Sequence, residues 1–489
     1  MEYFSQIEGF ITHIIFIFAL GIYLITNLQW YHYKIERVIT KHHKVKWHFI
    51  YFVLPILVYH FVESFFWIFF YFGFLPTLFL WYRKLDKKLV ITWRVKRFLG
   101  LLLFLTVFQD ILCSVKESCM QFGVFMPILM TVIGSLMVEK FIFLSFYKQA
   151  EKKISNMHNL KVITITGSYG KTSIKNFLAQ TLARKYRVYA TQKSVNTLEG
   201  IVKDINENLD ISTQIYIVEA GAREMGDIEK ISELVKHDIA IVGRVGKQHI
   251  EYFKTIDNII KTKLEIVRSD KITNLFLHSS INRERLKTDG VPFKITKFGD
   301  DSINAKSTLD GTFFTLRIGA IAEHFYTPVL GKFQSENLEV VIKIALDFGF
   351  KIDDIKHSLE NLKPVPHRLE KIQAGGKVIL DDGYNGNIDG MLEAFRLAEQ
   401  FKGRKVVITP GLVESSNELN ERIAFEIDDI FDVAIITGSL NQEFFKAKLV
   451  STKPTRIFLE DKSKLEDILT KYTRNGDIIL FANDAPNFI

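Results

Sequence analysis

The stretch that most constrains this 489-residue chain is Lys161-Val-Ile-Thr-Ile-Thr-Gly-Ser-Tyr-Gly-Lys-Thr-Ser173. Its β-branched run, Val162 to Thr166, reads as a buried parallel strand. A glycine turn follows from Gly167 through Ser168 to Gly170. Lys171, Thr172 and Ser173 then open a helix predicted over 174–185. A strand that feeds a glycine loop and a helix N-terminus is an arrangement that holds phosphate. Glycines let backbone amides approach phosphate oxygens, Lys171 supplies a point charge, and the Thr172 hydroxyl can hold magnesium. The strict loop pattern has a glycine five residues before Gly170, where Ile165 stands.

Strand and helix patterns alternate beyond the loop. Strands are predicted at 187–191, 214–219 and 238–243, which is the pattern of a doubly wound α/β sheet. Ligands of such sheets gather at the carboxyl ends of the strands. Glu219 is placed there, and His249 follows the next strand. Magnesium on ATP phosphates takes hard oxygen ligands and an occasional imidazole, so Thr172, Glu219 and His249 form a candidate set. Taken singly, Glu219 reads equally as an ordinary strand-end carboxylate and His249 as a packed or surface histidine. Further strands are predicted at 377–381, 404–414, 433–438 and 476–481, giving a Rossmann-like C-terminal domain from alternation alone.

These stretches resemble the Mur ligase family, and within it the MurF type, over roughly residues 135–489. Thr166 to Ser173 is similar to the family's ATP loop, including its departure from the strict pattern. Thr191 to Gly200 is similar to the segment that faces the acceptor, which implies Ser194, Asn196 and Thr197 as substrate residues. Val218-Glu-Ala-Gly-Ala-Arg-Glu-Met-Gly-Asp227 and Gly246-Lys-Gln-His-Ile-Glu251 resemble two further family blocks. Lys263 stands where the family carries a lysine that is often carbamylated; a carbamate there would help hold a second magnesium. Without the resemblance, Lys263 reads as a solvated helix lysine. Asn337 keeps the position that faces adenine, while Phe333 and Gln334 replace the family's His and Asn. Asp382-Gly-Tyr-Asn-Gly-Asn387 is similar to a nucleotide-contacting motif, which implies Asp382, Tyr384 and Asn385. Arg368 matches an arginine element in which His367 replaces Gly. It would stabilise transferring phosphoryl charge; a hinge salt bridge is the competing reading.

The first part of the chain is of another kind. Residues 1–150 hold 15 Lys and Arg against 8 Asp and Glu, and the remaining 339 hold 48 against 47. The basic excess therefore belongs to the N-terminal part and gives no basic face for nucleic acid. Residues 9–29 have the length of a spanning helix, with no Asp, Glu, Lys or Arg and His13 as their one histidine. Residues 47–82 are too long for one crossing. They read either as two short crossings turning near Glu63, or as one crossing plus a re-entrant piece around Gly73 and Pro76. Residues 98–114 and 121–138 add two more apolar stretches. The basic segments 34–46 and 83–97 both belong in the cytoplasm, which selects two crossings for 47–82 and five spans in all. Glu63 and Asp110 read as helix-end carboxylates near water rather than functional groups. Cys113 and Cys119, the only cysteines, read as apolar fillers rather than a pair.

The expected fold is thus an α-helical membrane region (1–150) followed by α/β: a P-loop-type Mur ligase central domain (151–362) and a Rossmann-like C-terminal domain (363–489). The resemblance implies an ATP- and magnesium-dependent ligase, acting through an acyl phosphate on a cell-wall or cell-surface precursor. It joins a carboxylate acceptor to an amino acid or peptide donor. Lys171, His249, Lys263 and Arg368 are the expected catalytic residues. The protein is expected as a multi-pass protein of a bacterial-type inner membrane, in contact with lipid and other envelope-assembly proteins, with its catalytic domains cytoplasmic. A membrane-attached poly-amino-acid capsule synthetase of polyglutamate type is the alternative, and an ATP-binding scaffold without activity a third reading.

Overall fold

The computed structural model describes residues 2–31, 33–40, 45–85, 88–116, 125–193, 195–246, 250–286, 292–299, 303–384, 386–412 and 417–483. The chain divides into two compact units, Met1–Ser145 and Phe146–Ile489.

The second unit holds two six-stranded sheets and one of three strands. The first sheet comprises β1 (Lys161–Thr166), β2 (Val188–Ala190), β3 (Ile215–Glu219), β4 (Ile239–Val242), β5 (Asn274–His278) and β6 (Lys294–Phe298). Its order is β2-β3-β1-β4-β5-β6, parallel throughout. Near-continuous apolar runs are what a parallel sheet covered on both faces requires, and every residue of β3 and β4 is buried. Helix Lys171–Leu182 covers β1 with Ile174, Phe177, Leu178 and Leu182, all fully buried. It opens at Lys171, as expected, because the glycine turn delivers the chain directly into helical geometry, and it ends at Leu182 rather than at Lys185.

The alternation pattern did not disclose the antiparallel meander β7 (Asn304–Thr308), β8 (Gly311–Ile318) and β9 (Ile321–Thr327). The C-terminal sheet comprises β10 (Glu370–Ala374), β11 (Lys377–Asp382), β12 (Lys405–Thr409), β13 (Val433–Thr437), β14 (Thr455–Leu459) and β15 (Ile478–Ala482). Its order is β10-β11-β15-β12-β13-β14, parallel except for β10. The strand predicted over 404–414 ends at Thr409, since Pro410 has no N–H to extend the ladder.

In the first unit, residues 45–83 form two helical arms that break at Val62 (φ −133°, ψ 53°). Ring contacts pair the arms along their length: Trp47–Trp81 at 5.9 Å, Tyr51–Trp81 at 5.5 Å and Tyr59–Phe66 at 4.9 Å. This is the turn expected near Glu63, whose side chain lies outside the described residues. Each arm widens into a π turn, Phe49–Val53 and Phe69–Phe74, just before a Leu-Pro pair. Pro55 and Pro76 lack the N–H that would close the tighter turn.

Among the described residues, four helical segments are long and apolar enough to cross a membrane: Gly9–Trp30, Phe65–Arg83, Trp93–Ser114 and Met126–Ser155. The expectation of five spans counts the shorter arm as well. The arm from 45 to 61 rises only about 25 Å, short of a hydrocarbon core of about 30 Å. Asp110 also departs from expectation. It lies inside helix Trp93–Lys116, buried, with Oδ1 2.6 Å from His13 Nδ1. A carboxylate in apolar surroundings is costly without such a partner. Cys113 is disulfide-bonded, not an apolar filler; Cys119 lies outside the described residues.

Candidate active site

The glycine loop is held from below. The amides of Ser168 and Tyr169 donate to Arg244 O at 3.0 and 3.1 Å, and Ser168 Oγ donates to Gly246 O at 3.2 Å. Those two amides are therefore spent on the loop itself. The first-turn amides of helix Lys171–Leu182, which have no intrahelical acceptors, are left to meet an anion. Gly170 has φ +80°, and a Cβ there would stand 2.4 Å from Asn337 Oδ1. Only glycine allows both the turn and this approach. Asn337 also donates to Gln334 Oε1 at 2.8 Å, so the expected adenine-facing residue lies against the loop. Ser173 is buried at the helix start.

Lys171 Nζ donates to Gly167 O (2.8 Å) and Ser168 O (3.1 Å). Burial pulls its pKa down to about 8, against the opposing pull of Glu219, while Arg368 pushes it the same way. Glu219, at the end of β3, is buried. Thr172 Oγ1 donates to its carboxylate at 3.0 and 3.2 Å. Lys263, expected on a solvated helix face, is instead buried in helix Ile256–Leu264. Its pKa falls to about 7, chiefly through burial and then through the charge of Lys171. Near neutrality much of it is therefore a neutral amine, the form that combines with carbon dioxide.

Among the described residues, no cluster of three or more His, Cys, Asp or Glu side chains forms a ready metal site. His249 lies outside the described residues. A buried carboxylate beside a loop hydroxyl still fits magnesium, which keeps several waters and takes one or two carboxylates plus substrate phosphates.

The C-terminal sheet supplies the opposite wall. Asp382 ends β11 and is fully buried. Arg368 Nη1 donates to Tyr384 O at 2.5 Å. Burial lowers its pKa, opposed by Asp382, Glu219 and Tyr384. Arg368 thus feels carboxylates at strand ends of both six-stranded sheets. Tyr384 is 57% exposed, with its ring centroid 4.7 Å from that of His367. Asn385 lies outside the described residues. Arg244 and Asp389, 3.4 Å apart, and Lys332 N donating to Glu393 Oε1 at 2.7 Å, join the two sides of the cleft.

On the expected acceptor side, Asn196 Nδ2 lies 3.5 Å from Glu219 Oε1. Thr197 caps helix Leu198–Asn208, its hydroxyl accepting from Gly200 N at 3.2 Å. Ser194 lies outside the described residues. Sequence reasoning missed two groups. Lys175 is buried with Nζ 3.1 Å from Glu219 Oε2; its signal was a position one helical turn beyond Lys171. His367, at φ +60°, places Nδ1 2.7 Å from Asp381 Oδ2, at a position that resembles a family glycine.

The chain is similar in sequence and fold to known proteins. The Mur ligase middle domain matches residues 165–345. The UDP-N-acetylmuramoyl-tripeptide–D-alanyl-D-alanine ligase of Bacillus subtilis (strain 168) is 27% identical over 340 residues, covering 66% of this chain and 72% of that one. The enzyme of the same name from Escherichia coli (strain K12) is 27% identical over 268 residues, covering 53% of this chain but only 59% of its own length. In fold, the chain is similar to the MurF ligase of Thermotoga maritima solved in complex with ADP, with a TM-score of 0.59 at 22% identity, covering 70% of this chain and 80% of that one.

Proposed function

We propose that this chain, a Mur ligase of the MurF type, is a membrane-anchored, ATP-dependent acid–amino-acid ligase. It joins a peptide amine to the carboxylate of a cell-wall precursor of muramyl-peptide class. The observation that carries this reading is the cation-lined cleft at the phosphate loop: Thr172 donates to Glu219, Lys171 and Arg368 act on that carboxylate, and Lys263 acts on Lys171. A half-buried and a buried lysine with lowered pKa values are costly unless anions arrive beside them, and a nucleoside triphosphate with a carboxylate acceptor supplies those anions.

In this reading Gly170 and the helix amides hold the β and γ phosphates, with Lys171 as their counter-charge. Thr172 and Glu219, with His249 and carbamylated Lys263, would hold one or two magnesium ions, which supply charge neutralisation between phosphates and carboxylate. An acceptor carboxylate oxygen attacks the γ-phosphorus, and the bond to the β-phosphate oxygen breaks as ADP leaves. The amine nitrogen then attacks the acyl carbon. Phosphate departs with the former carboxylate oxygen, and the amine proton passes to solvent. Arg368 moves with the C-terminal sheet and stabilises the transferring phosphoryl charge, while Asn337, Asp382, Tyr384 and Asn385 frame the nucleotide.

The N-terminal helices support the anchoring. Phe61, Phe72, Phe104 and Phe141 present 64–80% of their surfaces outward, more apolar exposure than a water-facing unit carries. The parts are then a membrane region to about residue 150, a central domain at 151–362 and a C-terminal domain at 363–489. This region stands where MurF-type enzymes carry a uridine-nucleotide-binding domain, so the acceptor is read as lipid-linked. The test is ADP release by the detergent-solubilised chain with D-alanyl-D-alanine and either a lipid-linked or a soluble UDP-linked muramyl tripeptide. The lipid-linked acceptor is expected to be preferred. Equal use of both overturns the lipid reading, and use of neither overturns the ligase reading.

A further inference from the structure

Lys175 has no part in the chemistry set out above, yet it is one of the largest fully buried side chains of the molecule. A buried ammonium is retained only where its donors are satisfied. Nζ lies 3.1 Å from Glu219 Oε2 and donates to Lys193 O at 2.7 Å. It therefore bridges the magnesium-facing carboxylate and the backbone of the segment expected to face the acceptor. Lys193 itself sits at φ +43°, a left-handed conformation that a lysine adopts only when its surroundings hold it.

The same segment is fastened at one end to β3 and at the other to Gly221, two residues beyond it. Thr191 N donates to Ile217 O at 2.9 Å, and Thr191 Oγ1 accepts from Glu219 N at 3.1 Å. Gly221 N donates to Asn196 O at 2.8 Å. A Cβ on Gly221 would come within 2.9 Å of Asn196 Cγ, so glycine permits this contact. Asn196 then reaches Glu219 Oε1 from the other side. Glu219 is thus clamped between Thr172 on the nucleotide side and Lys175 and Asn196 on the acceptor side.

We propose that Lys175 is a positioning residue that fixes the Glu219 carboxylate for magnesium and ties it to the acceptor-facing segment 191–197, so that metal and acceptor binding are coupled. This rests on the ligase reading above. Coupling of this kind is reciprocal: an acceptor that orders 191–197 also orders Glu219, and magnesium on Glu219 also orders the segment.

The experiment measures ADP binding to the full chain in detergent across a magnesium titration, for wild type, Lys175→Met and Lys175→Arg. Wild type binds ADP more tightly as magnesium rises. Lys175→Met is expected to shift the magnesium midpoint upward about 10- to 100-fold, the usual effect of losing an outer-sphere partner, while ADP affinity without magnesium stays unchanged. Lys175→Arg keeps the cation but displaces the Lys193 contact. Its magnesium midpoint is expected near wild type, with KM for the lipid-linked muramyl tripeptide raised severalfold. A Lys175→Met protein with a lower melting temperature but a wild-type magnesium midpoint overturns the proposal, because a purely structural ion pair behaves that way. If Lys175→Met does not fold, Lys175→Arg decides: an unchanged KM for the tripeptide overturns the coupling. Absence of magnesium-dependent ADP binding in wild type overturns the ligase reading itself, and is recognised because no variant is then needed.

Discussion

The two six-stranded sheets share an architecture and differ at their carboxyl ends. Glu219, at the end of β3, meets Thr172, Lys175 and Asn196, with Lys171 acting on it from the loop. At the end of β11, Asp381 is bound by His367, and Asp382 is the carboxylate that acts most strongly on Arg368. The first sheet concentrates cations with lowered pKa values, whereas the second contributes one arginine and a tyrosine ring at the rim. Under the proposed ligase reading, the difference assigns phosphate and metal chemistry to the first sheet and leaves the second to complete the site.

The largest effect that can break this comparison is loss of Lys171. Lys171→Ala is expected to lower kcat/KM by about 10³-fold, measured as acceptor-dependent ADP release, with ADP affinity also reduced. Arg368→Ala is expected to cost about 10²-fold, mostly in kcat, since its guanidinium acts on transferring charge. If Arg368→Ala raised KM for ATP and left kcat alone, the second sheet would be a binding wall only.

Acid separates the sheets by stability. His237, fully buried beside the start of β4 with Nε2 bonded to Ile266 O at 2.9 Å, has its pKa lowered by burial to about 4. Below about pH 6.5 the unfolded chain takes up a proton that the folded chain refuses. Stability is therefore flat above that pH and falls as pH drops toward 4, by about 2 kcal/mol at pH 5. Hydrogen exchange should show β1 and β4 losing protection before β12 and β13, and His237→Gln should remove the difference. The smallest effect is expected at the rim: Tyr384→Ala should raise KM for ATP about threefold with little change in kcat, because an exposed ring supplies contact area alone.

Strands and loop were legible because their chemistry is local. The apolar runs of β1, β3 and β4 and the glycines around Tyr169 dictate their own conformation, so these three strands matched in type and their ends shifted by a single residue. Side-chain environments were not local. Lys263 and Lys175 look like ordinary helix lysines until neighbouring elements bury them. Asp110 looked like a helix-end carboxylate until His13, 97 positions away, paired with it. The meander β7–β9 was hidden because antiparallel strands that share a domain with a parallel sheet leave no alternation of strand and helix. Thr197, expected to meet substrate, also stops a helix from fraying, a role its position before Leu198 already advertised.

The central claim is that this chain activates a carboxylate as an acyl phosphate. The most direct test follows one oxygen atom. The muramyl tripeptide acceptor is labelled with ¹⁸O in its reacting carboxylate and turned over with ATP, magnesium and D-alanyl-D-alanine. One ¹⁸O is predicted in the inorganic phosphate for each amide formed, by mass spectrometry of both products. Amide formation with unlabelled phosphate, or phosphate release without any amide, would contradict it.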